Sequence, residues 1–225
     1  MFLGIVCTLL FIIVCLRGVE KRVTKGKGKL LKKAHIPASI LLVIATIAHA
    51  INYWSLLDAR PSSIFITGFV ATFFIVVAAV NGFMIGKTGK GKTQIVIHRI
   101  AALLACAFFI LHIASVVVGV STYQNRVTNI VVENIDLTNI PDGVYIGEYD
   151  VTYVFVRVEV SVESGRIADI AILEHRGGTQ GIPAERIIYS IYEQQQIDVD
   201  TITGATNSSR VIQAAILDAL GNASN

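Results

Sequence analysis

Asp200-Thr201-Ile202-Thr203-Gly204-Ala205-Thr206-Asn207-Ser208-Ser209 runs directly into an apolar pattern of helical period, Val211, Ile212, Ala215, Ile216, Ala219 and Leu220, that closes at Gly221. Gly204 and Ala205 leave the backbone amides of the turn almost bare. A small-residue turn entering a helix offers unpaired N–H groups and the positive end of the helix dipole, so the stretch reads as an anion site suited to a phosphate. The hydroxyls of Thr203, Thr206, Ser208 and Ser209 add donors. The competing reading is an ordinary N-cap, in which a hydroxyl satisfies the first helical amides and does nothing else.

Working outward from this turn, Val154, Val156, Val158, Val160 and Val162 alternate with Arg157, Glu159, Ser161 and Glu163, the pattern of a half-buried strand. Ser164-Gly165 turns that strand back into Arg166–Leu173, predicting a hairpin. Pro183 starts a helix whose Ile187, Ile188 and Ile191 share a face. Together these make a small α+β unit of about a hundred residues, large enough to fold alone.

The pattern Asp-x-x-Thr-Gly-Ala-Thr-x-Ser-Ser resembles the flavinylation motif of the FMN-binding domain in the extracytoplasmic, FMN-carrying subunits of sodium-pumping NADH:quinone reductase and Rnf complexes. The resemblance reaches back through Asp142-Gly143-Val144-Tyr145-Ile146-Gly147, Val158-Glu159-Val160, Gly165-Arg166-Ile167 and Leu173-Glu174-His175, covering roughly residues 140–221. It implies that the Thr206 hydroxyl forms a phosphoester with FMN, installed by a separate flavin transferase. Asp200, Thr203, Gly204 and Ala205 match the recognition part of the motif. His175, ahead of Gly177-Gly178, reads as an exposed loop histidine or, alternatively, as a ring that reaches the flavin. No Ser/His/Asp or paired-carboxylate arrangement for hydrolysis is evident in this half.

The first half of the chain is of another kind. The 225 residues are 53% hydrophobic, with a mean hydropathy of +0.64, too apolar for one soluble domain. Residues 1–122 carry 13 Lys and Arg against Glu20 and Asp58 alone, whereas residues 123–225 carry 6 Arg, no Lys and 14 acidic residues. A break of this size marks two solvent environments. The net charge of +3 does not point to nucleic acid, because the cations sit in short segments beside apolar runs. Cys7, Cys15 and Cys106 all fall within apolar runs, so the acidic half has no disulfide and no cysteine cluster for zinc or iron–sulfur.

Four apolar runs predict four membrane spans: Phe2–Leu16, Ile36–Leu57, Ile64–Ile85 and Ile95–Val120. In the first, basic residues follow the apolar core, the reverse of a signal peptide, so it reads as an uncleaved helix. The segment Arg17–Lys33, with eight basic residues, and Gly86-Lys87-Thr88-Gly89-Lys90-Gly91-Lys92 are then cytoplasmic by the positive-inside rule. The second segment lacks the GxxxxGK[ST] order of a phosphate-binding loop. The Asp58-Ala59-Arg60-Pro61 turn, the N-terminus and the acidic half fall outside the cell, which predicts a multi-pass plasma-membrane protein.

His35 and His49 lie in the second run, His98 and His112 in the fourth, each pair fourteen residues apart. Fourteen residues is four turns at a period of 3.5 and about 40° off at 3.6, so both histidines of a helix share a face, about 21 Å apart along it. Runs two and four have the same direction, which sets His35 level with His98 and His49 level with His112. Two such pairs can each grip an iron porphyrin from both sides. The alternative is that the imidazoles only bridge helices. In spacing and topology the arrangement resembles membrane cytochromes b. Ala38, Ala45, Ala101 and Ala102, one turn from these histidines, would let a porphyrin approach.

The expected organisation is therefore a four-transmembrane-helix di-haem domain (1–122), a connector (123–140) with a short strand or helix around Val127–Ile135, and an extracytoplasmic α+β FMN-binding domain (141–225). The expected function is electron transfer from a quinol or cytoplasmic-side redox partner through two b-type haems to FMN on Thr206, and on to an extracytoplasmic acceptor. The alternative is a haem-free, membrane-tethered FMN carrier within a larger quinone-linked or ion-pumping complex.

Overall fold

The computed structural model describes residues 2–25, 30–57, 60–88, 91–178 and 181–223. It divides into two compact units, Met1–Leu57 with Ser62–Val116, and Asp58–Pro61 with Val117–Asn225.

The first unit is built on α1 (Phe2–Val23), α2 (Leu30–Asn52), α3 (Ser62–Thr88) and the first part of α4 (Lys92–Thr128). All four are long and apolar enough to cross a membrane. The chain is thus a multi-pass membrane protein with four candidate spans. Three helices outrun the apolar stretches that predict them, because Lys and Arg are good helix formers and the backbone ladder continues into the basic flanks. Accordingly Arg17–Lys33, expected as a loop, is helical at both ends. α1 closes where Lys25 takes a left-handed φ of 48°. Gly26–Lys29 of that segment, Asp58-Ala59 of the next turn and Gly89-Lys90 of the second basic segment lie outside the described residues. α2 ends earlier than its apolar run, at Asn52, and Trp54–Leu56 form a 3-10 turn.

Phe11, Leu42, Ile75 and Ala105, one from each helix, form the centre of this bundle. Phe11 stacks on Phe109 with ring centres 4.2 Å apart. Ile40, Leu41, Ile44, Leu103 and Ile110 are exposed. Such an outward apolar surface suits lipid, where nothing is gained by hiding it.

In the second unit α4 persists through Thr128, so the first part of the expected connector is helix, and no strand forms over Val127–Ile135. A 3-10 turn (Leu137–Asn139) leads to an antiparallel sheet of β1 (Gly143–Asp150), β2 (Phe155–Glu163) and β3 (Arg166–Arg176), in that order. A 3-10 turn (Ile182–Arg186), α5 (Ile187–Gln194) and α6 (Thr206–Ala223) follow.

The expected hairpin is present, with Glu163 opposite Arg166. Val156, Val158, Val160 and Val162 of β2 are wholly buried, as are Val211, Ile212, Ala215, Ile216, Ala219 and Leu220 of α6, in one core. Each of the Val, Ile and Leu side chains contributes roughly 1.5–3 kcal/mol by leaving water. α6 continues past Gly221 because that glycine does not take the left-handed conformation that would end it. Strand β1 was not foreseen. Its Gly147 lies against the backbone of Ala215 and Ala219, so only a residue without Cβ lets β1 and α6 meet this closely.

Candidate functional site

The turn before α6 is defined by one hydrogen bond, from the Ala205 N–H to the Ile202 carbonyl at 2.9 Å. Gly204, its third residue, has φ +82°, the left-handed value a type II turn requires. The first helical bond runs from Ser209 N–H to Ala205 O at 3.0 Å. The amides of Thr206, Asn207 and Ser208 therefore have no partner within the helix and face the turn. Asp200, Thr203, Gly204 and Thr206 are exposed, and Ala205 is buried beneath them. Thr206 thus stands at a helix N-terminus, open to solvent.

Three side chains, the buried Ser209 and Gln213 and the exposed Asn134, hold this turn in place. The Ser209 hydroxyl accepts from Ile202 N–H and donates to Ala205 O, both at 3.1 Å. Gln213, 2% exposed, donates from Nε2 to the carbonyls of Ile197 (2.8 Å) and Val199 (3.0 Å). Asn134 Oδ1 accepts from the amides of Ile197 and Asp198. Sequence reasoning grouped Ser209 with the anion-binding hydroxyls, but it is fully buried and occupied by backbone. Gln213 and Asn134 gave no signal in the sequence, because their partners are backbone atoms brought close only by folding.

His175 also departs from expectation. It lies within β3 and not in a loop, and its side chain is 4% exposed. Its Nδ1 is 2.8 Å from Glu185 Oε1. A titratable pair absent from the sequence reading is therefore present, and Ser208 lies near it across Gly181.

The intramembrane histidines are brought together in the expected combinations. The ring centres of His35 and His98 are 6.4 Å apart, and those of His49 and His112 are 6.5 Å apart. Nδ1 of His98 lies 2.8 Å from the Ala78 carbonyl, and Nδ1 of His112 lies 3.0 Å from the Ile64 carbonyl. A carbonyl only accepts, so each Nδ1 carries the proton and each Nε2 keeps its lone pair, the form in which imidazole binds a metal. Nδ1 of His35 and of His49 is buried without a partner. Ala38, Ala45 and Ala101, one helical turn from these histidines in sequence, are buried. Gly82 and Gly68 of α3, spaced fourteen residues apart like the histidines, pack on His98 and His112: a Cβ would come within 3.4 Å and 3.0 Å of the respective rings.

Residues 154–221 match the family model of the FMN-binding domain. The FMN-binding domain thus includes β2, β3, α5, the turn at Gly204 and nearly all of α6. It does not extend over the four apolar helices, and no comparison associates those helices with cytochromes b. No curated protein and no solved structure matches the chain. A groove of about 630 Å³ beside β3 and α5 includes Ile172, Glu185 and Tyr189 but no residue of the 200–206 turn.

Proposed function

We propose that this protein is a membrane electron-transfer flavoprotein with FMN esterified to Thr206 and a b-type haem held by each intramembrane histidine pair, His35 with His98 and His49 with His112. The observation that carries the haem part is the pairing distance. Two imidazoles that each reach one iron at about 2 Å stand with ring centres roughly 6 Å apart. Both pairs have that separation, on two helices, with the lone pair of His98 and of His112 kept free by a carbonyl behind each ring. Haem held by these histidines would supply one-electron chemistry, and flavin would supply one- or two-electron chemistry.

The chain's own residues hold, orient and separate these groups. Asp200, Thr203, Gly204 and Ala205 present the Thr206 hydroxyl to a flavin transferase, and the free amides of α6 receive the phosphate. The basic flanks of α1 to α4 orient the protein with its N-terminus and FMN-binding domain on the extracytoplasmic side. A quinol or a redox partner protein is the donor, and an extracytoplasmic species is the acceptor.

A second reading, a haem-free membrane-tethered FMN carrier in a larger quinone-linked or ion-pumping complex, is favoured by the family match, which is to FMN binding and stops short of the helices. The visible spectrum of the purified full chain, made with a flavin transferase, separates the two. Soret and reduced α bands at two haems per chain, halved in His112→Ala, are expected; a flavin spectrum alone establishes the second reading. Flavin fluorescence on a denaturing gel should vanish in Thr206→Ala.

A further inference from the structure

Beside the start of α6 lies a buried polar group outside the Asp200–Ser209 stretch. Glu185, as a carboxylate, can only accept, so the proton of the 2.8 Å contact is on His175 Nδ1. The other ring nitrogen, Nε2, is buried and has no hydrogen-bond partner. Leaving a buried polar nitrogen unpaired is costly, and such an atom calls for an explanation. Its surroundings supply one. A methyl group at Gly177 would stand 2.9 Å from Nε2, and one at Gly181 would stand 3.1 Å from Nε2 and 2.8 Å from Ser208 Oγ. A side chain at either position would crowd this contact, so glycine lets the chain pass this close to the imidazole and to the first turn of α6, in which Ser208 is the third residue.

Glu185 is the charged group in contact with the ring among the described residues. Val156 opposite on β2 is apolar, and Arg176 and Glu174 on its own strand pair with each other at 2.9 Å.

We propose that His175, oriented by Glu185, is the side chain that binds the flavin phosphate, its Nε2–H donating to a phosphodiester oxygen beside the free amides of Thr206, Asn207 and Ser208. This rests on the reading that FMN is attached at Thr206. A ring that donates from both nitrogens, to a carboxylate on one side and to a phosphodiester on the other, makes both bonds charge-assisted. No bond is made or broken by His175; it is a positioning residue. It neutralises the diester and fixes the end of the ribityl chain against the helix.

The test uses the full chain, flavinylated by co-expression with a flavin transferase and purified in a phosphorus-free detergent, observed by ³¹P NMR. At one fixed pH the phosphodiester resonance reports the hydrogen bonds that its oxygens accept. His175→Gln should displace it, and Glu185→Gln, which removes the carboxylate that orients the ring, should displace it in the same direction by less. A resonance that keeps its wild-type position in both variants overturns the proposal. If His175→Gln does not fold, or folds without taking up flavin, Glu185→Gln decides, and an unmoved resonance in that variant overturns it. Failure of the underlying reading is distinct: Thr206→Ala would then keep both the resonance and the fluorescent band.

Discussion

Thr206 and Ser209 are hydroxyl residues of the same short turn, and the fold uses them in opposite ways. Thr206 is exposed at the helix start, whereas Ser209 is buried and bonded to Ile202 N–H and Ala205 O. Ser209→Ala should therefore cost about 1–2 kcal/mol in chemical denaturation, because Ile202 N–H loses its acceptor, while a flavin bound to Thr206 remains attached. Gly204→Ala should cost about 1–2 kcal/mol, since an L-residue must then hold φ +82°. Gel fluorescence of the same variant should show slower flavin loading, as the turn that presents Thr206 is strained. In the membrane unit, Gly68→Val puts a side chain within 3.0 Å of the His112 ring. It should remove the absorbance of one haem and leave that of the His35–His98 pair. The residue types at these sites were legible in the sequence; which hydroxyl is free and which is spent was not, because that depends on where backbone partners arrive after folding.

At the scale of elements, the strong alternation of β2 and the helical period of α6 are readable because one face of each is fully buried. β1 escaped notice because it is an edge strand with Val144 and Ile146 exposed and only Gly147 buried, so it has no apolar stripe. Its packing is nonetheless strict. Gly147→Val should destabilise the FMN-binding domain by about 3 kcal/mol, since the backbone of α6 occupies the place of the new side chain. Gln213→Leu tests the staple between α6 and the approach to the turn. It removes the side-chain donor of the Val199 carbonyl and one of the two donors of the Ile197 carbonyl, which also accepts from Val199 N–H, and should cost roughly 1–3 kcal/mol. Both losses are read from the midpoint of urea unfolding followed by intrinsic fluorescence. A loss under 1 kcal/mol for either variant would contradict the packing argued here.

For the whole molecule, charge asymmetry supplies an orientation that can be measured. Cytoplasmic basic segments and an outside FMN-binding domain predict that Ser164→Cys is labelled by a membrane-impermeant maleimide in intact cells and that Lys25→Cys is labelled only after lysis. The native Cys7, Cys15 and Cys106, inside apolar helices, give the unlabelled background. The opposite labelling pattern would invert the topology and place the flavin in the cytoplasm.

Apolar run length, the charge break and the Gly204–Thr206 turn are local properties, so the chain alone determined four membrane helices, an α+β domain and the position of the flavin motif. The fourteen-residue spacing likewise put each pair of histidines on one helix face. Contacts between residues far apart in sequence are set by packing, and periodicity carries no record of them. Only the tertiary structure therefore decided that the imidazoles meet at 6.4 Å and 6.5 Å, that Ser209 is committed to backbone, and that the His175 side chain, on β3, is buried beside Glu185 with one nitrogen still unpaired.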